Sequence, residues 1–196
     1  MKTVVLGIAD DACFIPEGPE FRGKINNPLF SKYLDWPRGR KKQSVIDAAN
    51  DELNNFEKIL ESRGITVLRP EPIDFNTSIK TPLWETPNMF CSTCPRDTMI
   101  TIGNIILEAT MSKRSRYFEH LAHRKIAKYF WKVDKNMKWK AAPKPSMADD
   151  MYWQGYWTKF QGFDQKSEEE QEAILKDYQY ILNEEEPAFD AADITR

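Results

Sequence analysis

Two pairs of thiol and imidazole groups and two carboxylates carry most of the chemistry that this sequence could perform. Cys91-Ser92-Thr93-Cys94 is a CxxC, and His120-Leu121-Ala122-His123 sets two imidazoles three residues apart, together a possible set of four tetrahedral zinc ligands. The spacing argues against that. Twenty-five residues separate Cys94 from His120, where zinc fingers use about twelve, and no second CxxC follows. The imidazoles are therefore expected on the solvent side of a helix, and neither a metal nor another cofactor is expected. A thioredoxin-like role needs a strand leading into the CxxC and a helix after it, and the flanking residues suggest neither. The sequence holds no P-loop, no GxGxxG and no GxSxG, which disfavours nucleotide binding and serine-hydrolase chemistry.

The carboxylates are Asp97 and Asp190. Asp97 lies where Pro95-Arg96-Asp97 enters a hairpin strand, and Asp190 follows an acidic loop in Phe189-Asp190-Ala191-Ala192-Asp193, whose small residues let neighbouring backbone come close. A carboxylate at a strand start can hold a planar guanidinium through two parallel charge-assisted hydrogen bonds, and another can fix the tautomer of a histidine. Turn capping and plain surface exposure suit the same two residues. Spacing alone does not separate these roles.

The elements that must position them belong to one ordinary domain: 196 residues, 41% hydrophobic, with 11 Phe, 7 Tyr and 6 Trp, enough to build a core. No run of about 18 apolar residues suggests a membrane span, and the apolar N-terminal stretch is too short for a secretory signal. Three cysteines, an odd number, favour a reducing compartment, and a cytoplasmic protein is expected. Residues 111–145 carry eleven Lys and Arg against Glu119 and Asp134, while residues 146–196 carry thirteen acids against four bases. The basic run could serve nucleic acid, but a solvated helix face compensated by the acidic run is the simpler reading. Neither a nucleic-acid nor a membrane partner is expected.

Thr3 to Gly7 reads as a strand, and Pro16 to Lys42 as a long irregular segment suited to an access loop. Ser44 and Asp47 suggest a helix start, with Val45, Ala49, Leu53, Phe56 and Leu60 as its apolar face and Gly64 as its end. Ile65 to Arg69 follows as a strand. Thr98 to Ile102 and Ile105 to Glu108 form a hairpin about Gly103-Asn104. Ser115 then opens a second amphipathic helix with Phe118, Ala122, Ile126 and Tyr129 or Phe130 on one face. Lys140 to Pro145 reads as a loop, the aromatic stripe from Tyr152 to Phe163 as core or interface, and Ser167 with Glu170 as a capping box. Ile174, Tyr178, Ile181 and Leu182 supply that last helix with an apolar face. Helix feeding into strand predicts an α/β or α+β layering.

Six ordered motifs give the chain a resemblance to the glycine amidinotransferase family of guanidino-modifying enzymes, over the N-terminal half of that family. They are Gly7 to Cys13, Arg69 to Asp74, Pro95-Arg96-Asp97, Arg114 to Glu119, Ala142 to Asp149 and Phe189 to Asp193. The resemblance implies an α/β fold, part of a five-bladed α/β propeller (a pentein) built of ββαβ modules. Residues 1–196 would then be the N-terminal part of a single domain, incomplete at its C-terminus. By the same likeness, Asp97 would bind the guanidinium of a donor arginine and Asp190 would be the acid of a Cys-His-Asp site. That site would transfer the amidino group to an acceptor amine such as glycine.

The chain departs from the pattern in one respect, because the family's catalytic His and Cys belong to the other half. Cys13, Cys91 and Cys94 do not occupy the nucleophile's place. The expected partners are therefore arginine, an acceptor amine, and either a C-terminal half or a second copy of the chain. The alternative expectation is a catalytically inactive module that binds a full-length or C-terminal partner.

Overall fold

The computed structural model describes residues 2–19, 37–153, 161–176, 181–183 and 185–194. It is α/β, with small sheets and no closed barrel among the described residues. Strand β1 (Thr3–Val5) pairs in parallel with β2 (Thr66–Leu68), Val4 opposite Val67. Parallel neighbours need a crossover, and helix α1 (Gln43–Glu61) supplies it.

The buried face of α1 is not the predicted one. Ile46 is its buried residue, whereas Val45 and Phe56 are 52% and 48% exposed. Polar contacts set the rotation: Asn50 accepts the Ala9 N–H at 2.8 Å and donates to Asp10 at 3.3 Å, and Arg69 reaches Asn54 and Glu57. The helix begins at Gln43, one residue before the start expected at Ser44, with no side-chain cap bond. Lys42 is the N-cap, and Asp47 accepts from Gln43.

A short hairpin that the sequence pattern does not reveal, β3 (Ile79–Lys80) with β4 (Glu85–Thr86), is closed by Thr81. Its hydroxyl accepts from the N–H groups of Leu83 and Trp84 and donates to the Trp84 carbonyl. The predicted hairpin is present as β5 (Met99–Ile102) and β6 (Ile105–Glu108), with Gly103 at a φ of 58° in its two-residue turn. This left-handed conformation is one that glycine adopts without steric cost.

After β6 the single expected helix is divided. Arg114–Arg116 and Glu119–His123 are 3-10 turns, and only Arg124–Val133 is α-helical, as α3. Arg114, Ser115, Arg116, Glu119, His120 and His123 are all buried, so this stretch follows its polar partners and not an apolar stripe. The imidazoles therefore lie inside the protein and not on a solvent face. The chain returns as β7 (Lys138–Ala141), parallel to β6, where a loop is expected in part. Strands β5 and β6, helix α3 and strand β7 make one ββαβ unit. The strand signal is faint because in Lys-Trp-Lys-Ala only Trp139 is half-buried.

Further on, Ser167 and Glu170 exchange the bonds of a capping box at the start of α4 (Glu168–Lys176). Ile174 and Ile181 pack on buried Phe163, although Ile181 and Leu182 lie beyond the helix, and Leu182 bridges to Tyr152. Tyr152 is buried, but residues 154–160, the middle of the aromatic stripe, fall outside the described residues, as do Tyr178 and positions 20–36 of the expected access loop. Among the described residues the basic and acidic runs meet where buried Arg114 pairs with exposed Asp149 and where Arg116 pairs with Asp190 in the interior. No helix of the described residues is long and apolar enough to cross a membrane.

Gly7 is where β1 leaves the sheet and runs beneath the CxxC segment. A Cβ there would stand 2.2 Å from the Thr93 carbonyl oxygen, and Ile8 next to it bridges to Ser92. Gly7→Ala should lower unfolding stability by about 1–3 kcal/mol or more, because the obstruction is backbone and cannot rotate away. Urea titration measures it, and an unchanged midpoint would contradict the packing described.

Candidate functional site

Asp97 belongs to α2 (Pro95–Thr98), a single helical turn one step before β5 and not the start of the strand itself. Pro95 begins the turn, the Asp97 N–H reaches the Cys94 carbonyl at 3.1 Å, and the Thr98 hydroxyl reaches the Pro95 carbonyl at 2.9 Å. Proline suits such a first position, since its missing N–H has no intrahelical acceptor to lose. Asp190 sits on a different stretch, pinned where Phe189 and Thr110 exchange bonds and where the Met111 N–H meets the Phe189 carbonyl at 3.0 Å. Buried Met111 has a φ of 65°, a costly conformation for a long side chain of the kind found where a structure fixes a neighbouring group. The neighbour is Ser112, which donates its N–H and hydroxyl to Asp190 Oδ1 at 3.2 and 3.3 Å.

The structure brings Asp97 and Asp190 together on one buried guanidinium. Arg116 donates from Nη2 to Asp97 Oδ2 at 3.0 Å, from Nη1 to Asp190 Oδ2 at 3.0 Å, and from Nε to Glu119 Oε2 at 2.9 Å. The Phe90 ring lies 5.6 Å from the guanidinium carbon. The second oxygen of Glu119 accepts the Cys91 N–H at 3.3 Å. Arg116 and Glu119 are site residues that spacing did not single out. Their signal was an Arg and a Glu three apart within the fourth motif.

Three carboxyl groups around one cation cannot all be neutralised. Burial pushes the Glu119 carboxyl up to about 8 in spite of Arg116 beside it. Burial also opposes the charge on Arg116, yet Glu119, Asp190 and Asp97 outweigh it and hold the guanidinium above its ordinary pKa. The cluster therefore sets three acids against one internal cation, a composition that attracts a second cation.

The thiols are arranged differently. Burial pushes Cys91 up to about 12, with Glu119 adding to the rise, and burial pushes Cys13 up to about 11. Neither is a ready nucleophile, because the reacting species is the thiolate. Cys94 is exposed, and no cluster of three or more His, Cys, Asp or Glu among the described residues could hold a metal. His123 meets Thr98 and the Glu119 carbonyl through Nδ1, while His120 lies 3.9 Å from Glu108.

The remaining motifs build the support. Lys144 donates to the carbonyls of Ala109, Thr110 and Tyr117 at 3.0–3.1 Å, and Arg114 reaches the Met147 carbonyl and Asp149. Burial brings the Lys144 ammonium down to about 8. These contacts hold residues 142–149 against the segment that carries Arg116.

The α/β scaffold that carries these acids is similar to that of solved amidinotransferases. The chain aligns over its full length with the mitochondrial glycine amidinotransferase of Gallus gallus, 32% identical over 196 residues and 44% of that relative. It aligns equally with the L-arginine:L-lysine amidinotransferase of Pseudomonas savastanoi pv. phaseolicola, 32% identical and 50% of its length. The solved SxtG amidinotransferase of the Microseira wollei saxitoxin pathway superposes with a TM-score of 0.81 at 33% identity, covering 100% of this chain and 52% of that one. The inosamine-phosphate amidinotransferase StrB1 of Streptomyces griseus gives 0.78 at 29%, covering 100% and 50%. No family model matches. In sequence and in fold, the chain is similar to the N-terminal half of the glycine amidinotransferases, and it spans about half the length of these relatives.

The buried imidazoles generate a pH prediction. Burial brings His120 and His123 down to about 4, so between pH 6.5 and 4 the unfolded chain binds protons that the folded chain refuses. Stability then rises with pH across that window, by about 1.4 kcal/mol per unit for each unmatched proton. Glu119, raised, binds its proton in the folded state and acts oppositely between about 4.5 and 8. Two imidazoles outweigh one carboxyl, so stability should fall as pH drops from 6.5 to 4.5. His123→Gln should flatten that slope in urea titrations at successive pH values, and an unaltered slope would contradict the assignment.

Proposed function

We propose that this chain supplies the carboxylate half of an amidinotransferase site that moves the amidino group of arginine to an acceptor amine such as glycine. The observation that carries the reading is the convergence of Asp97 and Asp190 on Arg116 with unneutralised negative charge left over. Asp97, the more exposed of the two at 24% against 13%, would hold the guanidinium of the donor. Asp190 would orient a histidine and support its protonated form. The histidine and the nucleophilic cysteine would come from sequence corresponding to the other half of the relatives.

In that assembly a thiolate attacks the guanidino carbon, and the resulting C–N bond cleavage releases ornithine, which takes a proton from the histidine. The acceptor amine then attacks the amidino-cysteine, gives up a proton to the same imidazole, and restores the thiolate. The ββαβ unit of β5, β6, α3 and β7 supports a larger arrangement as one module of a five-bladed propeller. An open apolar groove of ≈ 770 Å³, lined by Val4, Ile100, Ile106, Ile126, Phe130 and Ile194 among others, suits docking of a complementary half. Three free cysteines fit a reducing compartment such as the cytoplasm.

The test uses the chain together with a polypeptide supplying the other half. By itself the chain should release no ornithine from arginine, since Cys13 and Cys91 are buried protonated thiols. In the assembly, Asp97→Asn should weaken arginine binding by about 3–5 kcal/mol, the typical cost of removing one partner of a buried ion pair. Asp190→Asn should instead reduce turnover with a smaller change in binding. Calorimetry and ornithine release separate the two. The opposite pattern, with Asp190→Asn abolishing binding while Asp97→Asn binds normally, would reverse or overturn the assignments.

A further inference from the structure

The three acids of the cluster are not equally free. Glu119 is fully buried, with Oε2 on Arg116 and Oε1 on the Cys91 N–H. Asp190 gives Oδ2 to Arg116 and Oδ1 to two donors of Ser112. Asp97 gives Oδ2 to Arg116, and its Oδ1 accepts no hydrogen bond among the described residues. The planar fork of Arg116 thus occupies one oxygen of every acid and leaves one oxygen of one acid open. A lysine at that position could not do this, since an ammonium is a point charge without a fixed fork.

We propose that Arg116 is a positioning residue that selects Asp97 as the anchor and presents only its Oδ1 to an incoming guanidinium. The inference rests on the reading of Asp97 as the donor-binding acid and deepens it. A ligand guanidinium is held at one end by a single carboxylate oxygen, not by the parallel pair that a free carboxylate would offer. Recognition of its other edge then falls to groups outside this cluster. Asp190 is kept away from the ligand by the same fork and is reserved for its own partner.

The probe is ethylguanidinium at millimolar concentration, read on protein with carbon-13 aspartate, with equal sodium chloride as baseline. The two signals are assigned by their loss in Asp97→Asn and Asp190→Asn. In the wild-type chain the probe should shift the side-chain carboxyl of Asp97 and leave that of Asp190 still. In Arg116→Lys it should shift both. A shift of neither in wild type with both in the variant keeps the role of Arg116 and removes Asp97 as anchor. The same pattern in both proteins overturns the role of Arg116, and whether Asp97 responds still decides the anchor.

Should Arg116→Lys fail to fold, nitrogen-15 arginine in otherwise native protein gives the answer. Asp190→Asn should then speed exchange of the Arg116 Nη1 hydrogens, and Asp97→Asn that of the Nη2 hydrogen not held by Glu119, which also lies 2.8 Å from Nη2. Unchanged exchange in both would overturn the proposal.

Discussion

The guanidinium of Arg116 is shared by acids from three separate stretches of chain, and the geometry of the site depends on how it divides its hydrogens among them. Asp97 comes from the turn before the hairpin, Glu119 from the turn after it, and Asp190 from close to the end of the described chain. Each is 24% exposed or less, and Arg116 itself is 6% exposed. A buried ion pair gives little net stability, because desolvation offsets most of the attraction, yet removing one member leaves a charge without compensation. The cluster is therefore better understood as a device for fixing positions than as a source of folding energy. Its value lies in making the location of Asp97 depend on that of Asp190 through a rigid plane.

The rest of the fold serves that plane by placing further polar anchors where a small protein would ordinarily place hydrocarbon. Glu108, at the end of β6, accepts from Trp139 on β7 and from Arg124 at the start of α3, so one carboxylate joins three elements of the ββαβ unit. Lys144 does the same with three carbonyls, and Arg114 with Met147 and Asp149. Apolar packing is correspondingly divided into small clusters, such as Cys13, Phe75, Met89 and Ala122, or Ala109, Met111 and Ala191. The last of these lies directly under the Asp190 segment. Satisfied polar networks of this kind specify one arrangement of a core, because each alternative strands a buried donor or acceptor.

These anchors explain what was legible in the sequence and what was not. Elements set by residues close in sequence could be read directly: β1, β2, the Gly103 hairpin and the Ser167 capping box lie where the pattern puts them. Elements positioned by a polar contact between distant residues, or by a polar residue turned inward, could not. The phase of α1 follows Asn50 in place of the Val45 and Phe56 stripe, and the helix expected from Ser115 yields to 3-10 turns that turn Arg116 and Glu119 inward. His120 and His123 were misplaced for the same reason, since spacing alone does not say which side of a helix a polar ring will face. Asp97 and Asp190 were identifiable as candidates from their motifs, but nothing in their spacing indicated that an internal arginine would join them.

An arginine built into a site that is read as accepting arginine is a physical requirement and not a redundancy. Two carboxylates brought near each other without a cation between them would each favour protonation of the other, and an acid that carries a proton holds a guanidinium poorly. With Arg116 in place, Asp97 and Asp190 share one cation between them, while burial raises the Glu119 carboxyl above its ordinary range. On the proposed reading, the internal cation would stabilise the charges that a ligand meets and, by occupying its share of their oxygens, would limit how the ligand can approach. Too strong a field would hold any cation, including the ammonium of a product. A field partly offset by an internal cation, with one carboxylate oxygen left open, would discriminate by shape and by the contacts that other groups add.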